Sequence, residues 1–182
     1  MPSAFTHLLV GAATAQVLPP EVPRRRLALV FALASAAPDL DVAAFALGIP
    51  YAHPLGHRGF SHSLLFAALL GASLGALSLG SRNRKHLSAV LLVGFVAVAS
   101  HGLLDAATDA GLGIGFFIPF DNHRYFLPFR PIETSSVNPA HFFSRRGWEI
   151  LKSEIVWVWL PLAALSTGYQ LARSLRRRRM GT

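Results

Sequence analysis

The chain has 182 residues, 52% of them hydrophobic and only 14% charged, with a mean hydropathy of +0.43. Soluble domains run near 25% charged, so this sequence lacks the polar surface to cover a water-exposed globule, and its length argues for one domain, 1–182. The net charge of +8 and pI near 11.3 raise nucleic acid as a partner, but the basic residues sit in short runs between apolar segments, where a polytopic membrane protein keeps its cytoplasmic anchors, so no nucleic acid is expected.

Phe5 to Leu18 is a short, alanine-rich apolar segment closed by Pro19-Pro20. It falls below the ~20 residues of a comfortable span and carries no Lys or Arg in front of it, unlike a secretory leader. Leu27 to Gly48 is long enough to span but holds Pro38-Asp39-Leu40-Asp41 in its middle. Proline removes a backbone hydrogen bond and kinks a helix, and aspartates at membrane depth are costly unless they line an enclosed cavity. The alternative is that the apolar run ends at Ala37 with both aspartates at the interface.

Ile49 to Phe60 reads as a loop with His53, His57 and Arg58. Ser61 is the expected N-cap of the next apolar run, Ser63 to Leu79, where Gly71 and Gly75 form a small-xxx-small face. Leu87 to Ala107 is the following span. It carries His101 and Asp105 at i and i+4, which share one helix face with Cβ atoms about 5–6 Å apart. Residues 108–152 mix Gly, Pro and aromatics and read as an ordered extracytoplasmic cap loop. Ile155 to Ala172 is the final span, followed by Arg176 to Arg179. The fold class expected is therefore all-α: a polytopic membrane helical bundle of about four spans plus a short N-terminal helix.

Arg24 to Arg26, Arg82, Arg84, Lys85, Arg173 and Arg176 to Arg179 make up eleven of the 17 Lys and Arg, all in short connections or the tail. The positive-inside rule puts those ends in the cytoplasm. Threaded this way, His7, Asp39, Asp41, His57, His62, His101 and Asp105 fall at one depth on the outer side. Scattered in sequence, they read as one site facing the extracytoplasmic side.

With no cysteine in the chain, a metal there would rest on imidazoles and carboxylates, a donor set that suits zinc or manganese. Taken singly, His86 reads as solvated beside Arg84 and Lys85, and His53, His123 and His141 as ordinary loop histidines. His7 alone could simply bond a neighbouring helix. As a set, four imidazoles and three carboxylates point to a hydrolytic metal site, in which ions lower the pKa of water and clamp a phosphoryl oxygen. The rival reading is a non-catalytic membrane protein that binds metal for structure, transport or sensing.

Thr6-His7, Pro38-Asp39-Leu40-Asp41, His57-Arg58-Gly59-Phe60-Ser61-His62-Ser63 and Ser100-His101-Gly102-Leu103-Leu104-Asp105 resemble the signature of the YdjM-like family. So do Gly111 to Gly115, Phe120-Asp121-Asn122, Arg124-Tyr125-Phe126, Arg130-Pro131-Ile132 and Lys152-Ser153-Glu154 ahead of Trp157-Val158-Trp159. That family consists of bacterial inner-membrane proteins, some under LexA control, described as metal-dependent hydrolases. The order His, Asp, His, then His-x-x-x-Asp is also similar to the helical zinc phospholipase C and P1-type nuclease group.

Those resemblances imply a multi-pass inner-membrane metal-dependent hydrolase; the site's place at the outer leaflet and its basic residues add a phosphoester, of a membrane lipid or lipid-linked phosphate, as the expected substrate. By the second similarity, Asp39 (or Asp41), His62, His101 and Asp105 would hold one zinc, and His7 would help hold another, with Asp105 between. Asp41 or His57 would manage the proton, and Arg58 with Arg124 or Arg130 would pair with the phosphate. The soluble enzymes carry a further His-x-x-x-Glu that is missing after Asp105, so one or two ions are expected rather than three.

Overall fold

Long apolar stretches with few breakers give an all-helical chain. The computed structural model describes residues 1–135 and 144–179, which hold six α-helices and no strand. They are α1 (Ala4–Thr14), α2 (Arg24–Ala36), α3 (Leu64–Ser78), α4 (Leu87–Ala106), α5 (Arg145–Glu154) and α6 (Leu160–Arg179). His141 lies outside the described residues.

Three helical stretches are long and apolar enough to cross a membrane: Arg24–Leu47, Asn83–Ala106 and Arg145–Arg179. Two shorter apolar helices, Ala4–Val17 and Leu64–Ser78, pack with them. At 15 residues, α3 is about 22 Å long, short of a full hydrocarbon crossing.

Proline at position 38 tightens the second stretch rather than breaking it. From Ala37 to Leu47 the chain continues as a 3-10 helix, with Pro38 in its first turn and Gly48, at φ 73°, ending it in the left-handed region. Asp39 and Asp41 ride on this narrowed segment. The N-cap of α3 is Ser63, whose hydroxyl accepts from Phe66 N at 3.1 Å, and not Ser61. Ser61 spends its hydroxyl on Asp41 instead. The last span also begins earlier than the hydropathy implies. α5 runs into a π-helical turn, Ile155–Trp159, and then α6. The widened turn falls where Pro161 cannot donate to the Trp157 carbonyl.

Burial in lipid provides little drive between helices, so close approach of small residues matters. A Cβ on Gly71 would lie 2.1 Å from the Gly94 carbonyl oxygen, and one on Gly11 would lie 2.5 Å from the Phe31 oxygen. These contacts bring α3 against α4 and α1 against α2. Phe31, Leu27, Val90 and Ala97 form the buried apolar core between them.

Antiparallel alternation then does the positioning. The start of α1, the end of α2, the start of α3 and the end of α4 all lie at one end of the bundle. Over that end lies the 108–135 segment, held by paired bonds between Ile114 and Tyr125 (2.8 and 3.0 Å) and by Leu64 N to Phe116 O at 2.9 Å.

Candidate metal centre

Four donors meet at that end: Asp39, His62, His101 and Asp105, with donor atoms all within 4.8 Å of one another. His101 Nε2 is 3.0 Å from His62 Nε2 and 3.3 Å from Asp39 Oδ1. Asp105 Oδ2 is 3.5 Å from His62 Nε2 and 3.9 Å from His101 Nε2, and Asp39 Oδ1 is 3.7 Å from His62 Nε2. Donors about 2.0–2.1 Å from a shared tetrahedral centre stand roughly 3.3 Å apart, so these separations are those of a cage.

Each imidazole is aimed by a bond on its far nitrogen. His101 Nδ1 donates to the Ser35 carbonyl at 2.7 Å. His62 Nδ1 faces Asp41 Oδ2 at 3.2 Å. Such outer bonds fix the tautomer and turn Nε2 inward, as ligating histidines require. Burial disfavours a charged His62, yet Asp105, Asp39 and Asp41 around it override that and push it up to about 10. His62 Nε2 and His101 Nε2 face each other at 3.0 Å, the position such a proton would share. A divalent cation would replace it.

The strongest sign that the cage is made for a guest is its unmet polarity. Both oxygens of Asp39 and of Asp105, both nitrogens of His7 and Nε of Arg58 are buried without a hydrogen-bond partner. Buried polar atoms are paired in the great majority of cases, and an unpaired one costs about 1–3 kcal/mol. The four carboxylate oxygens among them, grouped with His62 and His101, fit a bound cation.

His7 stands beside the cage rather than in it. Its ring stacks on His101 with centroids 3.7 Å apart, and Nε2 is 3.4 Å from Asp105 Oδ1. Asp105 thus turns one oxygen to His62 and His101 and the other to His7. That second face offers two donors, fewer than the four of the cage.

Asp41, His57 and His62 form the adjoining layer and a second group with metal-type spacing. Asp41 Oδ1 is 2.6 Å from His57 Nδ1, while Oδ2 accepts from Ser61 Oγ (2.5 Å) and Arg58 N (3.1 Å). With His62 also on Oδ2, this carboxylate is occupied on both oxygens, unlike Asp39 and Asp105.

Arg58 is buried at φ 63°, a conformation that costs a non-glycine residue free energy and that its neighbours must enforce. They do so through Asp41 on its N–H, and through Ala110 O at 2.8 Å and Thr108 Oγ1 at 3.0 Å on its guanidinium. This leaves Nε pointing at Asp105, 3.4 Å away. Arg124 binds the carbonyls of His57, Tyr51 and His53, and Arg130 lies over the Phe126 ring. His53 Nδ1 accepts from Leu55 N, and His86 lies 3.8 Å from Glu21.

Hydropathy and motif spacing did not reveal Glu154 as part of this architecture. It is fully buried and accepts from Ser3 N, Ser3 Oγ (2.5 Å) and Thr6 Oγ1 (2.6 Å), while Trp159 Nε1 donates to Thr6 Oγ1 at 2.7 Å. This clamp fixes the turn of α1 that carries His7. Its sequence signal was the pair of polar motifs Thr6-His7 and Ser153-Glu154, but nothing local says that they meet.

A bundle of apolar helices with a His/Asp cage buried at one end defines a helical membrane protein with a candidate divalent-metal centre. Over residues 1–176 the chain matches the family described as YdjM inner membrane protein, and it belongs to that family. It is 34% identical over 162 residues to the inner membrane protein YbcI of Escherichia coli (strain K12), covering 88% of this chain and 92% of that one. No solved structure matches, and the likeness to the zinc phospholipase C and P1-type nuclease group has no counterpart among these relatives.

Proposed function

We propose that the chain is a membrane-bound hydrolase of a phosphoester, dependent on a divalent metal, most simply zinc. The observation that carries this reading is the cage of Asp39, His62, His101 and Asp105, in which all four carboxylate oxygens are buried without a hydrogen-bond partner. An ion held there would supply Lewis acidity, polarising a phosphoryl oxygen and lowering the pKa of water. Asp41 orients His62, and through it His57 has a hydrogen-bonded route for a proton to and from the site. Arg58 holds a fixed positive charge beside Asp105, where a phosphate oxygen would gather negative charge.

A lipid or lipid-linked substrate is favoured by the mouth of the site. Among the four cage residues only Asp39 has a partly exposed side chain, so access lies on its side. That lip is the 3-10 segment, which shows Leu40, Phe45 and Leu47 to the surroundings. The basic residues at the opposite end favour a site that faces the extracytoplasmic side.

Metal analysis of the purified protein is the first test. Stoichiometric zinc, with stability lost in chelator, is expected; no bound zinc, manganese or iron and unchanged stability would overturn the reading. Hydrolysis of phospholipid in proteoliposomes should then fall away in His101→Ala and Asp105→Ala. Equal turnover in parent and both variants would leave the non-catalytic, metal-binding alternative. For the orientation, a Leu55→Cys variant gives one exposed thiol in a chain with no cysteine. Labelling from the cytoplasmic side alone would reverse the topology.

A further inference from the structure

At the end of the bundle opposite the cage, two cavities share a neck. One, about 350 Å³, is an apolar groove between α1 and α6 lined by Val10, Ala13, Val17, Leu162 and Leu165. The other, about 280 Å³, lies where α1, α2 and α6 meet and is lined by Arg24, Arg25, Arg173 and Gln170. Gln16 and Tyr169 border both. The Gln16 amide ties the neck together, donating to Ser166 Oγ and accepting from Gln170 Nε2, each at 3.2 Å.

The charge at this end is uncompensated. Of the nine Asp and Glu in the chain, eight belong to the segments around the cage and its cap. Only Glu21 lies here, beside His86. Arg24 is anchored on the carbonyls of Leu18 and Pro19. Among the described residues, no carboxylate comes within ion-pair distance of Arg25 or Arg173. A basic pocket between membrane helices attracts anionic head groups. A soluble anion would gain nothing from the groove, and a zwitterionic head group would find no carboxylate in the lining for its ammonium.

We propose that the joined cavity binds an anionic phospholipid of the leaflet on the basic side. Its phosphate lies against Arg25 and Arg173, its polar head group against Gln170 and Tyr169, and one acyl chain runs along the α1–α6 groove. The site is separate from the metal centre: Gln16 is nine residues beyond His7, about 13 Å along the helix axis.

The test is a lipid titration of the purified full chain by native mass spectrometry, with thermal midpoints read in parallel. Phosphatidylglycerol should bind and raise the midpoint, whereas phosphatidylcholine and inorganic phosphate should not. Arg25→Gln with Arg173→Gln should weaken phosphatidylglycerol roughly 25-fold, since each arginine near a lipid surface contributes about fivefold. Leu165→Trp, which fills the groove at a lipid-exposed position, should weaken it as well. Arg178→Gln with Arg179→Gln, which removes equal charge away from the cavity, should not. Equal binding of phosphatidylcholine, binding of phosphate alone, or equal losses in the two arginine pairs would each overturn the proposal.

Discussion

Glu154 and Asp105 are both fully buried carboxylates at the same end of the bundle, yet they are built in opposite ways. Glu154 is saturated, with a backbone N–H and two hydroxyls donating to it. Asp105 is ringed by His7, His62, His101 and Arg58 at 3.4–3.9 Å and accepts no hydrogen bond at all. The first closes a structure on itself. The second leaves polarity open toward a point shared with its neighbours, which is what separates a clamp from a binding site when burial is equal.

The sharpest way to break this contrast is to remove one of each. Asp105→Ala should weaken zinc by more than about 100-fold in a chelator competition, because even outer partners of metal ligands are worth 10–100-fold. Wild-type affinity in that variant would mean that Asp105 is no ligand. Glu154→Ala should lower stability by about 3 kcal/mol, from the donors it orphans, and by the same amount with or without chelator. If zinc rescued the loss, Glu154 would belong to the metal centre. Asp41→Asn should cost 10–100-fold in zinc affinity, because it alters how His62 is held, and should lower apo stability by about 1–3 kcal/mol, because one of its two occupied acceptor oxygens becomes a donor.

The pH dependence is smaller and has a definite sign. Zinc must displace the His62 proton, which is held up to about pH 10. Apparent affinity should therefore rise about tenfold per pH unit between pH 6 and 8, and a flat profile would remove His62 from the cage.

Much of this was legible in the sequence because its signals are local. Hydropathy marked the apolar helices, and the alternation of spans brought His7, Asp39, His62, His101 and Asp105 to one end before any distance was known. What resisted was whatever depends on contacts across the chain. Pro38 announces a disturbance, but only tertiary packing decides between a break and the 3-10 continuation that carries both aspartates. Ser61 and Ser63 are equally good caps in sequence; the demand of Asp41 for a donor assigns Ser61 elsewhere. The difference between Asp39, left open, and Asp41, saturated, cannot be read from Asp-Leu-Asp.

The Glu154 clamp also imposes an order on the making of the protein. All four cage residues have been synthesised by position 105, but the turn bearing His7 is secured only when residues 154 and 159 arrive to hold Thr6. The first helix therefore waits on the last, and a chain released before Glu154 would carry every metal donor and still lack the fastening that completes their surroundings. Full-length insertion becomes the gate to a finished centre.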